Sequence, residues 1–143
     1  MAQFQQSTTV SVPPEKAYEY LADISKHTEW APHLASAEKT SDGPVAVGST
    51  FRTVGRQLGT HEAQVRITEL VPNEKIVFES EDDTGQFRHS FSLQRSESGA
   101  AITKAVEPLR KSLFLTLLSP LTPVIIPRGL ATDLKKIRER LEA

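Results

Sequence analysis

From about residue 34 to residue 109 the chain reads as strands and turns, with runs in which polar and apolar positions alternate; towards both ends the apolar positions recur every three or four residues instead. The first period belongs to strands with one buried face, the second to helices with one apolar stripe. "QFRHSFSL" at 86–93 shows the strand period, with Phe87, Phe91 and Leu93 on alternate places and Arg88, Ser90 and Ser92 between them. His89 sits in the apolar row. Similar alternation runs through "STFRTVGRQ", "THEAQVRITEL", "IVFESE" and "AAITKAVE". Turn signals separate these runs: one near Gly59, "VPNEK" at 71–75, "DDTG" at 82–85 and "SESG" at 96–99. Consecutive strands joined by short turns form an antiparallel meander.

A polar strand over roughly 3–12 precedes "VPPEKAYEYLADI", which predicts a helix. Proline is tolerated in a first helical turn, Glu15 suits the N-terminal end, and Ala17, Leu21 and Ile24 form one stripe. "SKHTEWAP" predicts a second, short helix with Ser25 as cap and Pro32 as stop. At the C-terminus "GLATDLKKIRERLEA" spaces Leu130, Leu134, Ile137 and Leu141 at 4-3-4, with Asp133, Lys135, Lys136, Arg138, Glu139 and Arg140 on the polar face. Residues 128–142 are therefore expected as one continuous helix whose Leu134 and Ile137 cover the concave sheet face. The apolar segment before it is broken at Pro120, Pro123 and Pro127, which predicts a kinked or interrupted helix from about residue 112. The element order predicts an α+β fold: a curved antiparallel sheet of about seven strands wrapped around a long C-terminal helix, with two short helices after strand 1. A space between sheet and helix is where an apolar ligand would lie.

Composition narrows the function classes. The chain has 143 residues, 38% hydrophobic and 24% charged, which suits a single domain over 1–143 with a packed core. The net charge of −1 and the lack of a basic stripe argue against a nucleic-acid partner. Without cysteine there is no disulfide framework and no thiolate site. "MAQFQQSTT" carries no signal-peptide pattern. The apolar stretch 113–126 falls short of the roughly 20 residues a spanning helix needs, so a cytoplasmic protein is expected.

"VSVPPEKAYEYLADISKHTEWAPHL" at 10–34, with Asp23, Trp30 and Pro32, then "VGSTFR" at 47–52, "RITELVPNEKIVFES" at 66–80 and the closing "GLATDLKKIRERLEA" resemble the START-like superfamily. This is the polyketide cyclase/dehydrase and lipid transport (SRPBCC) group, with the helix-grip fold of the birch pollen allergen. The resemblance covers nearly the whole chain. It implies the fold and a hydrophobic ligand cavity; members carry lipids and other apolar ligands, cyclise polyketides or assist partner proteins. It carries over no catalytic residue, because fold does not dictate activity.

Strand parity then assigns the inner wall. Phe51, Val65, Ile67, Phe78, Phe87, Phe91 and Val106 make it apolar, and His61, His89 and Lys104 are its polar exceptions. A "SESG" turn brings His89 and Lys104 opposite or diagonal to each other across two strands. His89 is then a hydrogen-bonded core residue, a catalytic acid/base or the polar handle of a ligand site; Lys104 either points inward or snorkels to the sheet end. His61, beside a turn, is expected exposed at the mouth, and Trp30 packs against the helix pair. Leu117, Leu118, Leu121 and Ile125 form the expected lid, although a membrane-touching gate is the alternative reading of 113–126.

The leading expectation is a protein that binds one small hydrophobic or amphipathic molecule, whose polar or anionic end is held by His89 and Lys104. The alternatives are a cofactor-independent cyclase/dehydratase in which His89 abstracts a proton and Lys104 stabilises the enolate, and a partner-protein binding module. No cofactor is expected. His27 and His33 are poorly spaced for zinc, and Glu81, Asp82 and Asp83 read as a solvated hairpin tip. The choice between monomer and dimer stays open.

Overall fold

The computed structural model describes residues 4–56, 59–117, 120 and 122–143. In chain order the elements are β1 (Phe4–Val10), α1 (Pro14–Ala22), a 3-10 helix (Ile24–Glu29), β2 (Leu34–Lys39), β3 (Thr50–Arg56), β4 (Thr60–Val71), β5 (Lys75–Asp82), β6 (Gly85–Ser96), β7 (Gly99–Lys111), α2 (Leu113–Leu117) and α3 (Thr122–Glu142). All strands join one antiparallel sheet in the order β1-β7-β6-β5-β4-β3-β2. This is the helix-grip α+β arrangement, and the interrupted helix after residue 112 is resolved into α2 and α3.

Local chemistry accounts for the ends of the helices. Pro13 is extended and Pro14 opens α1, where a missing N–H costs nothing, and Glu15 stands in the first turn. Ala17 and Leu21 of α1 and Ile24 beyond it are almost fully buried, so the predicted stripe is the packing face. The second helix is shorter than expected and of the tighter 3-10 type. Its cap is Asp23 rather than Ser25: the Asp23 carboxylate accepts from Ser25 N at 3.1 Å and from Ser25 Oγ at 2.5 Å. On α3, Leu130, Leu134, Ile137 and Leu141 are all buried, as their spacing predicts. Asp133 is buried with them, against the expectation that it lay on the polar face. Its position, three residues after Leu130 and four before Ile137, places it at the border of that stripe.

The sheet register fixes what faces inward. Phe51 pairs with Val65, Val65 with Ser80, Ile67 with Phe78, Phe78 with His89, and His89 with Val106. Directly opposed residues share a face, so the predicted inner rows hold. A bulge between Ile67 and Glu69 shifts the later part of β4, and Leu70 then joins the inner row opposite Ile76. Burial varies along that face. Phe51, Ile67, Ile76, Phe91 and Ile102 are fully covered, whereas Phe87, His89, Ser80 and His61 are half-buried. The inner face is sealed under α1 and Trp30 and becomes accessible towards the β5–β6 hairpin.

Candidate ligand site on the inner face

Four elements deliver polar side chains to the aromatic part of this face. β6 brings His89 and Phe91, β7 brings Lys104, α3 brings Asp133, and the 3-10 helix with its C-cap brings His27 and Trp30. Lys104 is directly opposite Phe91 and diagonal to His89. Its ammonium stands 5.7 Å from the ring centres of both Trp30 and Phe91, a cation–π geometry, and 3.8 Å from Asp133 Oδ2. Both members of this ion pair are buried. Lys104 thus points inward and does not snorkel.

Burial moves the proton affinities. It holds the Lys104 ammonium below its usual range, with the Asp133 charge opposing that shift. It pushes the Asp133 carboxyl up to about 6 against the pull of Lys104. His89 is held well below the ordinary imidazole range, by burial first and then by the Lys104 charge. It is neutral at pH 7. Its Nε2 hydrogen-bonds Ser80 Oγ at 3.0 Å, and its ring stacks on Phe78 at 4.8 Å with only 8° between planes. That is the neutral state expected from its place beside a lysine, with desolvation as the larger cause.

The histidine buried deepest is another one. His27 is 3% exposed and packs against Trp30, Phe78 and Phe91. Its Nε2–H donates to Leu21 C=O at 2.9 Å, which fixes the neutral tautomer, and burial lowers its pKa to about 4. Sequence reasoning weighed His27 only as a weak metal ligand; the signal that could have found it is its i, i+3 spacing with buried Trp30. Asp133 is the other residue that parity alone missed, being on a helix rather than a strand.

The remaining expected residues divide. Val65, Ile67, Phe78 and Val106 are buried wall, and Phe51 is sealed in the core. Phe87 is half-buried on the accessible side. His61 is less exposed than expected: its side chain is 17% exposed and its Nδ1 lies 2.6 Å from Asp83 Oδ1, so the hairpin tip is tied to the mouth. Leu117, expected in the lid, is 71% exposed and Ile125 is 45% exposed. Both therefore present much of their surface to solvent: Leu117 ends the five-residue α2, and Ile125 lies near the start of α3. Leu118 and Leu121 lie outside the described residues. Among the described residues no helix is long and apolar enough to cross a membrane.

Two clefts flank this cluster. One of about 210 Å³ sits between β1 and α3, lined by Gln6, Thr8, Ala131, Leu134 and Arg138, and it borders the same inner face, since Gln6 is opposite Lys104 and Thr8 opposite Ile102. Another of about 270 Å³ is lined by Gln64, Arg66, Glu79 and Gln86 of the outer sheet face. The charged lining of the second suits water better than an apolar body, whereas the first and the inner aromatic face are mainly apolar.

Known structures share the fold. The chain is similar to the protein CV1439 from Chromobacterium violaceum (20% identity, TM-score 0.74, covering 100% of this chain and 99% of that one). It is similar to TTHA0849 from Thermus thermophilus (17% identity, TM-score 0.81, 98% and 97% covered). The Zhui aromatase/cyclase from a Streptomyces species matches at 14% identity and TM-score 0.81, over 99% of this chain and 93% of that one. No curated protein matches the sequence. The family described as polyketide cyclase / dehydrase and lipid transport matches residues 1–142. An inner face of aromatic residues with a few polar groups, held on the fold of an aromatase/cyclase, agrees with that match, and the chain belongs to the polyketide cyclase / dehydrase and lipid transport family.

Proposed function

We propose that residues 1–143 act as one unit that binds a single small hydrophobic or amphipathic molecule, lipid- or polyketide-like, between the inner sheet face and the C-terminal helix. Family membership supports the general statement. The observation that carries the specific one is the change in burial along β6. Phe91 is sealed, while His89 and Phe87, two and four residues earlier on the same face, remain half-buried beside Ser80. An accessible aromatic row with one neutral hydrogen-bonding pair offers apolar contact and one orienting polar group, which is what an amphipathic ligand needs.

Native mass spectrometry of freshly purified protein tests the reading: a small-molecule adduct that organic extraction removes is the expected result. His89→Phe keeps the bulk and loses the hydrogen bond. It is expected to weaken a polar-headed ligand by about 1–2 kcal/mol and to lower stability by less than about 1 kcal/mol, because the half-buried Ser80 hydroxyl can turn to water. A mutant that melts far below wild type and binds the extracted ligand equally well would place His89 in the core and overturn its role. A bare mass together with a co-purified polypeptide would favour a partner-protein module instead.

A second reading, a cofactor-independent cyclase or dehydratase, gains from Asp133. A neutral imidazole that can accept a proton and a carboxyl that titrates near 6 supply two acid/base groups on one face, with Lys104 between β6 and α3 to steady an enolate. Conversion of a poly-ketone substrate that ceases in His89→Phe, with binding retained, is the outcome that would establish it.

A further inference from the structure

The inner site has donors to spare and no net charge. Lys104 and Asp133 are the only charged side chains buried among the described residues, and they form a pair with each other. His27 and His89 are neutral. The two buried charges therefore cancel. The hydrogen-bond inventory is unbalanced. An ammonium has three N–H bonds, yet the polar partner of Lys104 is Asp133 at 3.8 Å, beyond ordinary hydrogen-bond length. Trp30 Nε1 is buried and has no partner among the described residues. Two other acceptors of the inner face are engaged elsewhere, Leu21 C=O by His27 and Ser80 Oγ by His89.

Resting on the ligand-binding reading above, we propose that this site selects a neutral oxygen acceptor, such as a ketone or ester carbonyl on an apolar body, against a carboxylate, and that Asp133 is the residue that sets this preference. A neutral carbonyl accepts a hydrogen bond from Lys104 and leaves the ion pair intact. A carboxylate brings a second negative charge to a buried cation that already has one, and the surplus charge has no partner. Spare donors alone would favour an anion; the carboxylate on α3 reverses that choice. Asp133 touches no ligand in this scheme. It acts through Lys104, as a positioning and charge-balancing residue.

2-Nonanone and octanoate test this, because they differ only by a methyl group in place of a carboxylate oxygen. A saturated ketone absorbs weakly in the tryptophan region and a carboxylate does not, so isothermal titration calorimetry at pH 7.5, which needs no optical signal, reports binding of both. Wild type is expected to bind the ketone about tenfold or more tighter than the acid. In Asp133→Asn the octanoate affinity is expected to rise by about tenfold or more relative to the ketone. Wild-type protein that prefers octanoate overturns the proposal, as does a D133N ratio equal to that of wild type. If D133N does not fold, the wild-type ratio decides alone. Failure of both probes to bind overturns the binding reading itself, and the charge assignment with it.

Discussion

His27 is buried without a charge, and this makes acid its weak point. Its folded pKa lies near 4, below the ordinary 6.5. The stability it contributes is thus complete above 6.5 and is lost as pH falls towards about 4, because the unfolded chain binds a proton that the folded one refuses. At pH 5 this amounts to about 2 kcal/mol. Asp133, whose folded pKa is raised, works in the opposite sense: its burial is most unfavourable above about 6 and eases below. A comparison with His27→Phe cancels Asp133. At pH 7.5 the mutant is expected to be about 1–3 kcal/mol less stable, since Leu21 C=O loses its donor. By pH 5 the gap should shrink by about 2 kcal/mol. Urea unfolding at the two pH values measures it, and a gap that stays constant refutes the neutral assignment. At this scale the sequence was readable where the period was strict. His89 and Lys104 fell on the inner face by parity, but His27 and Asp133 did not, because a short 3-10 helix and the border of a helical stripe carry no period-2 signal.

Among the elements, the β6–β7 hairpin is tightly constrained. Gly99 closes it with φ of +149°, and a Cβ there would stand 2.4 Å from Val10 O and 2.6 Å from Val12 O. Those carbonyls belong to the end of β1 and the chain just after it, so the turn residue is wedged against a neighbouring backbone that cannot move without breaking the β1–β7 ladder. Gly99→Ala combines a disfavoured φ with this clash and is expected to lower stability by about 3 kcal/mol or more. A thermal melt within a degree or two of wild type would show that the β1 end yields. "SESG" announced this turn from sequence, and the strands and the amphipathic α3 were equally legible because each buries one face at its own period. The segment between β7 and α3 was not. Its three prolines announce a break, but where an apolar chain with few donors docks depends on tertiary packing, and Leu113 and Leu117 end exposed.

At the scale of the molecule, the Lys104–Asp133 pair joins the sheet to the helix that covers it. Buried pairs of this kind contribute little net stability, while either partner left alone is strongly unfavourable. Lys104→Met and Asp133→Leu are each expected to cost about 3 kcal/mol, and the double mutant to be as stable as wild type or more so. A double-mutant cycle by chemical denaturation measures this. A double mutant less stable than both singles would mean that the pair holds the helix in place rather than serving the site.

The strand order has a consequence in time. β1 is made first and β2 next, yet they end at opposite edges of the sheet, and β1 has only β7 to pair with. During synthesis the first strand must wait until residue 106 has emerged before Phe4 meets Val106. A sheet completed by its first and last strands has many contacts between residues far apart in sequence, and such topologies fold slowly, in roughly milliseconds to seconds. Stopped-flow refolding followed by Trp30 emission is expected in that range, with mutations at the β1–β7 seam altering the rate. Refolding within microseconds would mean that the chain ends find each other before the meander forms. Until they meet, the nascent chain exposes the edge of β7 to any other extended segment, so the vulnerable period of this fold falls between the emergence of β7 and its capture by β1.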